Sequence, residues 1–251
     1  MNLYARQRGE GKPLLFIHGF PMDQSVWDSF GDNFVKSNRV ITVDLPGFGK
    51  SPILPFPFSL DQVADHLIEF LSTEDISQAT VIGHSLGGYV ALAMVSKRPD
   101  LFSALGLFHS TAYADSPEKK ESRNKVIEFV EKHGVRAFVA NFVSPLFARA
   151  DHKDIATVKQ ISSQSSMEAV IGYTAAMRDR PEHIKTLKSF EKPTLFIGGE
   201  KDPGIPVQTL MDQAAISQHP EIHILPHVSH MGMFEKPTEA ASKIMGFLGK
   251  I

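Results

Sequence analysis

Hydrophobic positions in the first half of the chain alternate between two patterns. Short continuous apolar runs, ended by glycine, proline or aspartate, predict buried strands. These runs cover residues 14–17, 39–43, 79–82 and 101–108. Between them, apolar residues recur at helical spacing over residues 25–37, 59–72 and 86–97. Strands that alternate with amphipathic helices predict a mostly parallel, doubly wound sheet with helices on both faces.

The pattern changes in the middle of the chain. Between about residues 113 and 190 no run reads as a strand, and apolar residues fall at helical spacing. Strand and helix patterns then alternate again over residues 193–198, 206–217 and 221–225, before a last helix that begins near Pro237. We therefore expect an α/β core formed by residues 1–111 and 191–251. Residues 112–190 are expected to form an all-helical cap, inserted after the sixth strand.

Composition excludes several classes of chemistry and partner. The chain has 251 residues, of which 42% are hydrophobic and 22% charged, and it contains no cysteine. Disulfides, a thiol nucleophile and thiolate metal sites are thereby excluded. A net charge of −2 gives no electrostatic reason to bind nucleic acid or an anionic membrane. Residues 1–13 lack the apolar stretch of a secretory signal, so we expect a cytoplasmic protein; its oligomeric state stays open.

One short motif carries the candidate chemistry. Gly83-His84-Ser85-Leu86-Gly87 fits Gly-x-Ser-x-Gly and lies between a predicted strand and a predicted helix. That setting is the one a nucleophile elbow requires, because a serine on a tight turn projects its hydroxyl while flanking side chains would collide with neighbouring backbone. The structural alternative is a glycine-rich turn with a capping serine. The context favours Ser85 as a nucleophile.

Four further segments, together with this motif, resemble the α/β-hydrolase superfamily, and in particular its small, capped, esterase-like serine hydrolases. They are His18-Gly19-Phe20-Pro21, Asp44-Leu45-Pro46-Gly47-Phe48-Gly49-Lys50-Ser51, Gly199-Glu200-Lys201-Asp202 and His230-Met231-Gly232-Met233-Phe234-Glu235-Lys236-Pro237. The resemblance spans essentially the whole chain. It implies the α/β-hydrolase fold, with no cofactor and no metal.

The resemblance also implies a catalytic triad in the order nucleophile, acid, histidine: Ser85, Asp202 and His230. Serine needs an imidazole base to become a useful nucleophile at neutral pH. Glu200 is a neighbouring carboxylate, but the family spacing favours Asp202. An alternative acid position follows the preceding strand, and there the chain reads His109-Ser110-Thr111, without a carboxylate.

Other histidines compete with His230 for the role of the base. They are His219, His223 and His227. Their spacing suggests a metal-binding helix, yet Pro220 and Pro226 interrupt any helix there. No matched carboxylate completes a zinc site either. We therefore interpret these three histidines as structural or solvent-exposed.

The remaining site residues are expected from the same resemblance. The backbone N–H groups of Phe20 and Leu86 would form the oxyanion hole. Candidates for the substrate pocket are His18, Trp27, His84, Phe138, Phe142 and Tyr173. Simple packing is an equal or better explanation for each of them; we expect His18 to order its loop and His84 to be structural.

A serine at position 85 disfavours dehalogenase and epoxide hydrolase chemistry, which need a carboxylate nucleophile. Hydrolysis of a small carboxylic ester through an acyl-enzyme is the leading hypothesis. Alternatives that use the same triad are C–C bond hydrolysis, lactone opening and a cofactor-free lyase. A non-catalytic ligand-binding receptor on this fold is a further alternative, because fold alone does not decide function.

Overall fold

The predicted strands, joined by an unpredicted strand near the N-terminus, form one sheet in the computed structural model, which describes residues 2–251. Their bounds are Ala5–Arg8 (β1), Lys12–Ile17 (β2), Asn38–Val43 (β3), Ala79–His84 (β4), Phe102–Phe108 (β5), Thr194–Gly199 (β6) and Pro220–Leu225 (β7). The spatial order is β1-β3-β2-β4-β5-β6-β7. β1 is antiparallel to β3, and every other pair is parallel. The predicted fold class is confirmed.

Helices pack against the sheet or against one another. Their bounds are Asp28–Gly31 (α1), Leu60–Thr73 (α2), Leu86–Lys97 (α3), Pro117–Phe142 (α4), Ile155–Ser162 (α5), Met167–Asp179 (α6), Ile184–Ser189 (α7), Val207–Ile216 (α8), Gly232–Glu235 (α9) and Pro237–Leu248 (α10). Ser59 caps α2 and forms a capping box with Gln62. Among residues 2–251, no helix combines the length and the apolar character needed to cross a membrane.

One predicted helix is wrong. Residues 25–37 do not form a continuous helix: a 3-10 turn over Gln24–Trp27 leads into the single turn of α1, and hydrogen-bonded turns follow. The Asn33 side-chain amide donates to the carbonyl oxygen of Phe30 at 2.8 Å. A side chain that bonds to nearby backbone in this way competes with the helical hydrogen bonds.

The long helical segment lies between β5 and β6, after the fifth strand. The prediction that this segment follows a sixth strand is therefore wrong. The described chain has five strands before it, β1 to β5, and the segment before Lys12 supplies one of them. α4 bends at Gly134, whose φ of 79° interrupts the helix, and α4 packs against α6. α7 instead contacts α3 and α8, which belong to the α/β part. The division into a core of residues 1–111 and 191–251 and a cap of residues 112–190 stays a prediction.

Parallel strands bring the candidate chemistry to one edge of the sheet. β4, β5 and β6 all run in one direction, so the residues that follow them leave the sheet at the same edge. Ser85 follows β4, His109 follows β5, and Asp202 lies a short loop beyond β6. Open α/β sheets place their ligands at this carboxyl edge.

Candidate active site

Ser85 occupies a strained turn between β4 and α3. Its backbone has φ 52° and ψ −113°, a conformation that side-chain-bearing residues rarely adopt. Hydrogen bonds hold it there: the Ser85 N–H donates to the Phe108 carbonyl at 3.0 Å, and the Ser110 hydroxyl donates to the Ser85 carbonyl at 2.7 Å. The structure therefore builds the elbow that the motif predicted.

The two glycines that flank Ser85 leave room for backbone. A Cβ on Gly83 would overlap the backbone of Gly87, and a Cβ on Gly87 would overlap the carbonyl of Ile17. Neither collision involves a flexible side chain that could move away. The glycines are thus required sterically for α3 to approach β4 and β2 closely.

The side chain of Asp202 is fully buried and accepts hydrogen bonds on both oxygens. Oδ2 accepts from His230 Nδ1 at 2.7 Å, while Oδ1 accepts from the N–H groups of Gly204 at 2.9 Å and Ile205 at 3.1 Å. Burial alone would raise the pKa of Asp202, but the neighbouring His230 and His109 hold that pKa well below its ordinary value. Asp202 is therefore a carboxylate ready to orient an imidazole.

His230 is held at three points. Its N–H donates to the Leu146 carbonyl at 2.9 Å, and its own carbonyl accepts from His84 Nε2 at 2.9 Å. The third point is the bond from Nδ1 to Asp202, which leaves Nε2 as the free ring nitrogen. His230 and Ser85 line the same cavity, of about 790 Å³. This arrangement offers a nucleophile, a base and an orienting carboxylate at one opening.

Sequence reasoning missed a second histidine beside Asp202. His109 Nδ1 lies 3.1 Å from Asp202 Oδ2, and the His109 side chain is fully buried. The signal was present, because His109 occupies the alternative acid position after β5. The candidate metal-ligand atoms of His109, Asp202 and His230 lie within 4.8 Å of one another. Their direct contacts of 2.7 and 3.1 Å are hydrogen-bond distances, and they favour a hydrogen-bonded group over ligands arranged about an ion.

The candidate oxyanion donors stand free of competing partners. Among the backbone hydrogen bonds of residues 2–251 that lie outside regular helices and strands, none uses the N–H of Phe20 or Leu86 as donor. His18 orders the Phe20 loop: its Nδ1 donates to the Gly19 carbonyl at 2.9 Å, and its Nε2 accepts from the Leu45 N–H at 3.0 Å. Burial lowers the pKa of His18, which favours the neutral ring that both bonds require.

The predicted pocket residues divide sharply. Phe142 lines the cavity beside the candidate oxyanion residue Phe20. The other candidates are not among the residues that line this cavity: His18, Trp27, His84, Phe138 and Tyr173. They are buried by packing against other aromatic rings, as expected from their apolar surroundings.

Glu235 is a second residue that sequence reasoning did not single out. Its Oε1 accepts from the N–H groups of Ser229 at 3.0 Å and Met231 at 3.2 Å, on both sides of His230. Its Oε2 accepts from the Ala148 N–H at 2.7 Å, in the segment between β5 and β6. Glu235 therefore ties the loop of His230 to the helical segment above it.

The three competing histidines lie elsewhere. His219 is exposed, His223 contacts Glu221 at 2.9 Å, and the His227 N–H donates to Glu200 at 2.8 Å. Glu200, the neighbouring carboxylate, thus stabilises the turn after β7. Asp202 is the carboxylate that contacts His230. Within the described chain, these three histidines form no group with metal-ligand geometry.

Comparisons with known proteins give a family match and a solved structure of the same fold. The model of the alpha/beta hydrolase family matches residues 14–243. A solved thermophilic esterase from Thermogutta terrifontis, determined with malate bound, is 28% identical, has a TM-score of 0.94, and is matched over 99% of this chain and 93% of that one.

Curated relatives cover the chain almost completely. The pimeloyl-[acyl-carrier protein] methyl ester esterase of Vibrio vulnificus is 26% identical over 99% of this chain and 99% of its own length. The dihydrolipoyllysine-residue acetyltransferase component of the acetoin cleaving system of Pseudomonas putida is 26% identical over 96% of this chain. The match spans 64% of that longer relative.

Proposed function

This chain belongs to the alpha/beta hydrolase family, and we propose that it hydrolyses carboxylic esters through an acyl-enzyme formed on Ser85. One observation carries the proposal. The bond between His230 Nδ1 and Asp202 leaves His230 Nε2 free in the cavity that Ser85 also lines. We propose in addition that residues 112–190 cover this cavity as a cap.

The proposed reaction has two half-reactions, acylation and deacylation of Ser85, and His230 transfers protons in both. His230 Nε2 takes the hydroxyl proton of Ser85 as the oxygen attacks the ester carbonyl, and the N–H groups of Phe20 and Leu86 stabilise the oxyanion. The imidazolium of His230 then protonates the departing alcohol. Water enters, loses a proton to the same nitrogen, and attacks the acyl-serine. The acid leaves and the Ser85 hydroxyl is restored.

Esters are favoured over other bonds by two of the relatives, which are named as esterases. They are similar to this chain over nearly its whole length. The structural contribution is electrostatic: Asp202 is ionised and buried beside His230, so it stabilises the imidazolium that forms as Ser85 attacks.

The test is turnover of short p-nitrophenyl esters. Ser85→Ala and His230→Ala should each lower kcat by about 10⁴-fold or more. Matched controls are Ser189→Ala and His223→Ala, which remove residues of the same type away from the cavity. A fluorophosphonate should label wild type and not Ser85→Ala, as read by mass spectrometry.

Two results would overturn the proposal. Full ester turnover in a clean preparation of Ser85→Ala would exclude the acyl-enzyme on that residue. Strong cleavage of a diketone with negligible ester turnover would instead make the chain a C–C bond hydrolase.

A further inference from the structure

The cavity wall on the side of the helical segment carries a group of basic side chains. Lys119, Arg123 and Arg180 line the cavity together with Asp115; we call these four residues the basic wall. Asp115 follows β5 and its side chain is 5% exposed. It pairs with Arg180 at 2.7 Å and with Arg123 at 3.1 Å. One carboxylate therefore faces three cations.

Arg180 is occupied by structural bonds. Its Nη1 donates to Asp115 and to the Met177 carbonyl, each at 2.7 Å, and its Nη2 donates to the Tyr113 carbonyl at 2.8 Å. Its side chain is 4% exposed. These contacts tie the end of α6 to the loop after β5, so Arg180 and Asp115 have a sufficient structural explanation.

No comparable set of structural bonds explains Lys119 and Arg123. The Arg123 contact to Asp115 uses Nε, which leaves its terminal nitrogens without a partner among residues 2–251. The Lys119 ammonium has neither a hydrogen bond nor an ion pair with any residue that the structure describes. Lys119 is an exposed residue whose side chain lines the cavity. The nearby carboxylate of Glu118 is exposed, bonds to Ser116 and does not line the cavity.

The basic wall is within reach of a molecule bound at Ser85. Tyr89 lies one helical turn beyond Ser85 on α3, a rise of about 5.4 Å, and its N–H donates to the Ser85 carbonyl at 3.3 Å. The guanidinium carbon of Arg180 lies 3.9 Å from the centroid of the Tyr89 ring. Arg180 therefore lies about one helical turn from Ser85, and Lys119 and Arg123, which approach the same Asp115 side of the wall, line the same cavity as Ser85.

We propose that Lys119 and Arg123 bind a carboxylate on the substrate, so that the preferred substrates are esters carrying a second, free carboxylate. The inference rests on the proposed ester hydrolysis and adds its substrate class. A carboxylate would replace solvent as the acceptor for these N–H groups with charge-assisted hydrogen bonds, and it offsets the excess positive charge of the wall.

The test compares esters of matched length. The mono-p-nitrophenyl ester of glutaric acid carries the carboxylate, and p-nitrophenyl pentanoate is its neutral partner. Wild type should prefer the anionic ester by about tenfold or more in kcat/KM. The comparison is repeated with the carboxylate on the alcohol side, using the acetate ester of a hydroxybutanoate against butyl acetate. A preference in either pair supports the proposal.

Lys119→Met is the informative variant, because Lys119 is on the wall and has no structural bond to lose. It should lower kcat/KM for the preferred anionic ester by about tenfold and change the neutral ester by less than about twofold. Lys119→Arg should restore most of the preference. Lys125→Met removes the same charge from an exposed position on α4 that does not line the cavity, and it should change neither.

A binding measurement separates the two proposals. Glutarate should bind to Ser85→Ala, as measured by calorimetry, and Lys119→Met in that background should weaken binding by about tenfold. Equal turnover of anionic and neutral esters in both pairs, unaffected by Lys119→Met, overturns the carboxylate site and leaves ester hydrolysis standing. If no ester is cleaved, the proposed function fails, and the glutarate measurement alone tests the carboxylate site. Glutarate binding that depends on Lys119 supports the site, and the absence of such binding overturns it.

Discussion

His109 and His230 donate to the same oxygen of Asp202, His109 Nδ1 at 3.1 Å and His230 Nδ1 at 2.7 Å. Burial lowers the pKa of His109, so the ring is a neutral donor. Its bond and that of His230 oppose the burial that would raise the pKa of Asp202. His109 thus helps to keep Asp202 ionised and fixed in direction.

We expect His109 to act as a positioning residue through Asp202. His109→Ala removes one hydrogen bond to a charged group and should lower kcat by about tenfold with little change in KM. His109→Asn keeps a donor near the same place and tolerates the φ of 49°, so it should recover much of kcat. Equal losses in both variants, or a loss confined to KM, would contradict this role.

The elbow glycine Gly87 should not tolerate a side chain. Gly87→Ala places a Cβ against the backbone of Ile17, so we expect a loss of about 3 kcal/mol or more in the free energy of unfolding, together with loss of activity. Gly246→Ala is the matched control, since its Cβ meets nothing within 4 Å on the exposed side of α10. Gly246→Ala should raise the free energy of unfolding by about 0.5–1 kcal/mol. Urea unfolding measures both, and an unaffected Gly87→Ala would refute the steric argument.

Buried neutral histidines should make the fold sensitive to acid. Burial lowers the pKa of His18, His84 and His109, whereas the unfolded chain takes up protons on histidine below about pH 6.5. The native state binds fewer protons there, so stability present above that pH is lost as pH falls. Each histidine contributes up to about 1.4 kcal/mol per pH unit. Urea unfolding between about pH 7.5 and pH 5.5 should show the decline, and a flat profile would be inconsistent with these shifts.

Tyr173 should be replaceable without loss of activity. Its hydroxyl is buried and has no hydrogen-bond partner among the described residues, and its ring packs on Phe48 at a centroid distance of 4.7 Å, away from the cavity. Tyr173→Phe removes the unsatisfied group and should raise the free energy of unfolding by about 1 kcal/mol. Its kcat/KM should stay within about twofold of wild type.

Phe142→Ala, which alters the cavity wall, should lower kcat/KM. If Tyr173→Phe lowered kcat/KM more than Phe142→Ala does, the cavity would not be the substrate site.

Local patterns predicted most of the fold. The run Leu14–Ile17 forms most of β2, and the Ser59 cap begins α2 as expected. The failures are equally local in origin: the turns after α1 include a side-chain bond from Asn33 that periodicity does not register. Aromatic spacing likewise indicates burial, and it does not distinguish the cavity-lining Phe142 from the packed Phe138.

The sequence by itself indicated the elbow and most of the order of the elements, because the glycine spacing of the motif and the local hydrophobic periodicity both signal them. Only the tertiary structure decided which distant side chains meet. His109 reaches Asp202 across 93 positions, and Arg180 reaches Asp115 across 65. Such pairs depend on how the strands and the helical segment pack, and the hydrophobic pattern carries no record of them.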